Sequence, residues 1–225
     1  MRVMGGRQQR MALALVSVAM LAAATPARAT VIPLTKFDFG GATLIDFGPN
    51  DTMEPINGKV LSGVTFGYTV NGVASTDAII SSGPGSTNNL TPAYVINNLG
   101  NNGAVLSLLF SSLQTRLGYG YAVSTGSSNP LANATTVSLF DASNTLVGTL
   151  SGNAVADPLF PGGFLGIGST IPFLRAEVTF STVADAFAFD NVRFSDVPVP
   201  EPGTLTLVAL GALAMARGLR RPMQS

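Results

Sequence analysis

Along most of the chain, apolar residues recur at every second position rather than every third or fourth. Leu117, Tyr119, Tyr121 and Val123 alternate with Gly118, Gly120 and Ala122, and Leu174, Ala176, Val178 and Phe180 alternate with Arg175, Glu177, Thr179 and Ser181. A period of two puts the apolar side chains on one face of a strand and the polar ones on the other. Similar runs at 42–47, 60–70, 73–80, 93–97, 104–110, 135–141, 145–150, 164–168 and 186–194 predict further strands, and no internal stretch carries a capped helical stripe. Asn71-Gly72 joins two such runs as a type I′ hairpin turn would, and Ser143-Asn144 reads as a second tight connection. Longer breaks fall at 81–89 and 98–103. Short antiparallel strands in this number must cover two inner faces, so the pattern predicts an all-β, two-sheet antiparallel sandwich. The expected form is a jelly roll, with an immunoglobulin-like sandwich as the alternative.

The two ends break the alternation. Arg2, Arg7 and Arg10 precede an uncharged apolar stretch at 11–24, and Ala27-Arg28-Ala29 follows as an A-x-A site. This is the layout of a secretory signal helix cut by signal peptidase after Ala29, with Ala27 and Ala29 filling the small subsites. The apolar run is short of the roughly 20 residues of a spanning anchor. At the other end, Asp196-Val197-Pro198-Val199-Pro200-Glu201-Pro202-Gly203 has alternating prolines that exclude helix and ladder and favour an extended, accessible segment. An uncharged apolar segment at 205–216 comes next, closed by Arg217, Arg220 and Arg221. Arginines there hold that end of a short transmembrane helix on the cytoplasmic side. The chain therefore divides into a signal peptide at 1–29, a β-sandwich domain at 30–196 and a tail at 197–225.

Pro200-Glu201-Pro202, a short apolar helix and a terminal arginine cluster, in that order, resemble the PEP-CTERM sorting signal of exported Gram-negative proteins. Pro222-Met223-Gln224-Ser225 beyond the arginines departs slightly from that pattern. The resemblance implies an exosortase as partner, recognising Pro200, Glu201 and Pro202. It also implies transient anchoring in the inner membrane, then release to the cell surface or an exopolysaccharide matrix.

Charge and composition narrow the chemistry. The formal charge of zero conceals basic ends: between 30 and 200 there are five basic against eleven acidic side chains, a net of −6, which excludes phosphate-dominated nucleic-acid binding. Neither cysteine nor histidine occurs, which removes Ser-His-Asp and Cys-His hydrolases and His/Cys zinc sites. Gly118-Tyr119-Gly120 and Gly166-Ile167-Gly168 lie in strand pattern with no helix behind them, so they are not phosphate loops.

Three constellations remain. The run Ala184-Asp185-Ala186-Phe187-Ala188-Phe189-Asp190-Asn191-Val192-Arg193-Phe194 resembles the closing strand of bacterial jelly-roll domains of the carbohydrate-binding type. Strict alternation puts Asp190 on one face with Ala188, Val192 and Phe194, where a carboxylate needs partners: either donors of its own turn or a structural calcium ion shared with Asp46. Tyr68, Tyr94, Tyr119 and Tyr121 are candidates for stacking on sugars, or for the core. Glu177, Asp185 and Asp157 are the acids that a carboxylate-only glycoside hydrolase would recruit. The leading expectation is a non-enzymatic, exosortase-processed surface or matrix protein with a structural or adhesive role, with no cofactor beyond that calcium. A carbohydrate-binding module is the alternative, and the hydrolase ranks below both.

Overall fold

Two segments that the alternation divides are continuous in the structure. The computed structural model describes residues 30–48, 53–81, 90–91, 93–97 and 100–198. In it, β8 (Ala104–Ser124) absorbs the predicted runs at 104–110 and 117–123, and β11 (Gly162–Phe180) absorbs those at 164–168 and 174–180. Each crosses between two layers. Pairing of β11 with β8 breaks between Gly168 and Phe173 and again before Arg175, where Pro172 has no N–H to give a ladder. Ser169 Oγ turns the chain there, donating to Ile171 O (2.7 Å) and accepting from Ile171 N–H (3.2 Å).

One layer contains β3 (Val60–Leu61), β4 (Val64–Val70), β5 (Val73–Ala74), the start of β8, the end of β11, β9 (Leu131–Phe140) and β10 (Leu146–Ala154). The other contains β1 (Val31–Leu34), the start of β11, the end of β8, β12 (Ala186–Ser195), β2 (Thr43–Ile45), β7 (Tyr94–Asn97) and β6 (Ile79–Ser81). Every pairing is antiparallel. Because β8 and β11 belong to both layers, hydrogen bonding runs unbroken through all twelve strands. Successive strands β8 to β12 pass repeatedly from layer to layer, as expected of a jelly roll.

The core lies between the layers. Phe180 of the first stacks on Phe187 of the second (4.1 Å, 7°), Phe110 meets Phe194 at 5.1 Å, and Tyr68 meets Phe187 at 6.3 Å. Two buried hydroxyls also bridge the layers: Tyr119 Oη lies 2.9 Å from Thr135 Oγ1, and Tyr121 Oη donates to Asn153 O (2.8 Å). All four tyrosines are buried, so none is a sugar platform. Burial raises the pKa of Tyr68 and of Tyr121 to about 12.

The crossing strands give the sandwich two distinct ends. At one lie the bends of β8 and β11 together with both ends of the described chain: Thr30 exchanges hydrogen bonds with Thr170, donating N–H to its Oγ1 and accepting from its N–H (both 3.1 Å). At the other lie the Asn71-Gly72 hairpin and the loops at 124–130, 155–161 and 181–185. Asn71 and Gly72 both have positive φ (52° and 77°), as a type I′ turn demands.

Candidate functional site

In the first layer, Phe66 and Tyr68, Leu106 and Leu108, Ala176 and Val178, and Val137 and Leu139 point inward. Alternation therefore turns their neighbours out, and the register aligns these across five strands. Gly67 opposes Ser107, Ser107 opposes Glu177, Glu177 opposes Ser138, and Ser138 opposes Thr149. A parallel row joins Thr179, Thr136 and Ser151, and another joins Thr65, Leu109, Arg175 and Phe140. Ser138 Oγ and Thr149 Oγ1 are 3.1 Å apart, and Thr136 Oγ1 and Ser151 Oγ 2.8 Å. The Arg175 guanidinium lies 3.8 Å over the Phe140 ring, is ion-paired with Glu177, and donates to Asn144 Oδ1 from Nε (3.0 Å) and Nη2 (2.6 Å). The result is an open face paved with hydroxyls, each both donor and acceptor, around one fixed cation and one carboxylate.

Asp190 lies in the other layer. The pairing of β12 with β8 slips between Asp190 and Arg193, with Asn191 at φ 51°, so a bulge switches the strand's faces. The face expected from strict alternation is thereby corrected: Asp190 shares the outward side of β12 with Ala188, whereas Val192 and Phe194 join the core with Phe187 and Phe189. Its Oδ2 accepts from Thr91 N–H (2.8 Å), Thr91 Oγ1–H (3.1 Å) and Asn191 Nδ2 (3.0 Å). Its enclosed Oδ1 has no hydrogen-bond partner among the described residues. Burial raises its pKa to about 6 against those donors, with the Asp46 charge adding to the rise. Asp46 itself is exposed, its Oδ1 accepting from Gly48 N–H (2.9 Å). No group of three or more acidic, histidine or cysteine side chains gathers among the described residues. Calcium takes six to eight oxygens, whereas Asp190 is held by protein donors.

The three recruitable acids serve different parts of the fold. Glu177 belongs to the paved face. Asp157 Oδ1 accepts from Leu159 N–H (2.8 Å) and Phe160 N–H (3.2 Å) and so shapes one wall of a cleft of about 180 Å³ between 124–128 and 158–160. Asp185 joins the neighbouring loops through its backbone, accepting from Gly100 N–H and donating to Ser124 O. The glycines of 118–120 and 166–168 are strand residues. Gly118 leaves room for two rings, since a Cβ there would stand 2.5 Å from Phe164 and 2.8 Å from Phe39.

At the end of the domain, the β8 bend grips the departing chain. Thr115 Oγ1 lies within hydrogen-bonding distance of Val197 O (2.6 Å) and Ser195 O (3.3 Å). Arg116 spans from Asp38 O (Nη1, 2.8 Å) to Pro198 O (Nη2, 3.1 Å). Two strand side chains thus fix the point at which the tail begins. Residues 198–221 match the PEP-CTERM protein-sorting motif. The motif starts at the residue whose carbonyl Arg116 holds. Its elements Pro200, Glu201, Pro202, Arg217, Arg220 and Arg221, like Ala27 and Ala29 of the expected signal and the two expected terminal helices, lie outside the described residues. Among the described ones, no helix is long and apolar enough to cross a membrane.

No curated protein matches the chain. Among solved structures it is similar to a family 29 carbohydrate-binding module (11% identity, TM-score 0.37, covering 80% of this chain and 99% of that one). A variant of the module CBM29-2, from work on ligand recognition by that family, aligns at 10% identity and TM-score 0.37 over 78% and 99%. The enzymatically active domain of tailspike protein 4 of bacteriophage CBA120 aligns at 16% and 0.38, over 67% of this chain and 21% of that one. The paved face and the Thr115–Arg116 grip were not foreseen from sequence. The hydroxyl positions of the face are visible in the alternation, but the order in which strands bring them together is not.

Proposed function

We propose that this chain is an exported protein, processed at its C-terminal sorting motif by an exosortase and displayed outside the cell, where the sandwich binds polysaccharide without catalysis. The observation that carries the binding reading is the hydroxyl face of β4, β8, β11, β9 and β10. A polysaccharide offers rows of hydroxyls, and rows of serine and threonine flanking an Arg175–Glu177 pair match them in hydrogen-bonding character. On the hydroxyl face the one carboxylate, Glu177, is ion-paired with Arg175, which favours binding over two-carboxylate hydrolysis there. Such binding would hold the protein in an exopolysaccharide matrix, which is the adhesive role proposed for it.

Affinity electrophoresis through gels containing the host's exopolysaccharide tests this. Retardation of the native protein, lost in the double variant Ser138→Ala/Glu177→Gln, supports the reading. Mobility unchanged by the polysaccharide removes the binding function and leaves a purely structural role.

A further inference from the structure

We propose that the end of the sandwich carrying both chain termini is a membrane-contact surface, seated on the bilayer while the tail is inserted; this rests on the reading of 205–216 as a membrane segment. Three observations converge. First, the exit point is fixed, with Thr115 and Arg116 holding the carbonyls of Val197 and Pro198. Only six residues separate Pro198 from the apolar segment at 205, a reach of about 20 Å even fully extended. Since a headgroup layer takes up about 5–8 Å of that reach, the domain is tethered within about 15 Å of the lipid surface. Second, Thr30 is tied to Thr170 at the same end, so the first and last described residues of the domain lie on the side from which the tail leaves.

Third, the side chains there suit an interface. Phe37 is 84% exposed on the turn beside Arg116's other contact, Asp38 O, and Lys36 lies over its ring at 5.6 Å. Val197 and Leu113 are each 47% exposed around the Thr115 contact. An aromatic ring and two aliphatic side chains next to Lys36 and Arg116 can enter the acyl boundary while the cations meet lipid phosphates. Asp38 and Asp196 are exposed at the same end and balance Lys36 and Arg116, so it is the exposed apolar side chains, with Lys36 beside Phe37, that suit this end to a bilayer.

The absence of tryptophan makes a direct test available. Three single-tryptophan full-length variants, Phe37→Trp, Val73→Trp and Leu210→Trp, are incorporated into phosphatidylglycerol-containing vesicles with brominated acyl chains. Val73 is 70% exposed at the opposite end. The inference predicts blue-shifted, quenched emission at 37 and 210, water-like emission at 73, and loss of the quenching at 37 when Lys36→Glu is added. Quenching at 210 alone overturns this inference and leaves the tail reading standing, and equal quenching at 37 and 73 also overturns it. No quenching at 210 overturns the tail reading and this inference with it.

Discussion

Among the described carboxylates, Asp190 is the one whose burial costs it most. Its carboxyl is enclosed, with three donors on one oxygen and none on the other. Its pKa is raised to about 6, so the folded state binds a proton more tightly than the unfolded chain does. The stabilising contribution is full below about pH 4 and is lost as pH rises through about 6, by up to about 3 kcal/mol. Asp190→Asn keeps an oxygen for the Thr91 donors and removes the charge. Urea unfolding should find this variant more stable than the native chain at pH 7.5 and equal to it near pH 3.5. Equal stability at both values would mean that Asp190 is ionised at no cost, through a partner such as a bound cation. Asp38 shows the opposite sign: its carboxylate accepts Thr35 N–H and Oγ1–H on the exposed turn, and its pKa is lowered.

Turns decide the register of the elements. At Asn71-Gly72 and again at Ser62-Gly63, two successive residues have positive φ, and each pair closes a tight hairpin, Val70 opposite Val73 and Leu61 opposite Val64. A Cβ at Gly72 would meet nothing within 4 Å, so the cost of Gly72→Ala is the backbone's alone. It should lower stability by about 1–2 kcal/mol, read as a lower urea midpoint with an unchanged slope. The first hairpin was legible because Asn-Gly is a direct left-handed signal. The second was not, since Ser62 carries no such signal and 60–70 reads as one strand. Period-two alternation likewise gave the inward faces of β8 at 117–123 and of β11 at 176–180, but it cannot register a bulge. That is why Asp190 was expected beside Val192, and why Leu174 was expected at a position that Phe173 takes after the Pro172 crossing. The paved face needed the β4-β8-β11-β9-β10 order, and long-range order is set by which strands pair, not by any local run.

The whole molecule is polar in arrangement. Both termini leave one end, where β8 and β11 cross and Thr115 and Arg116 hold the root of the sorting motif. The hydroxyl-paved face runs along the side of the sandwich, and the cleft beside Phe160 opens at the far end. A protein held by its tail presents that side and that far end outward, and once cut at the motif it carries them into its surroundings intact. Display of this kind depends on the tail being processed. Intact mass of the native protein, taken from its host with and without the exosortase, is the measurement that tests it most directly. The account predicts a chain beginning near Thr30 and ending near Pro200 only when the exosortase is present. A full-length tail in both strains would contradict it, leaving Pro200-Glu201-Pro202 as a linker to an ordinary anchor.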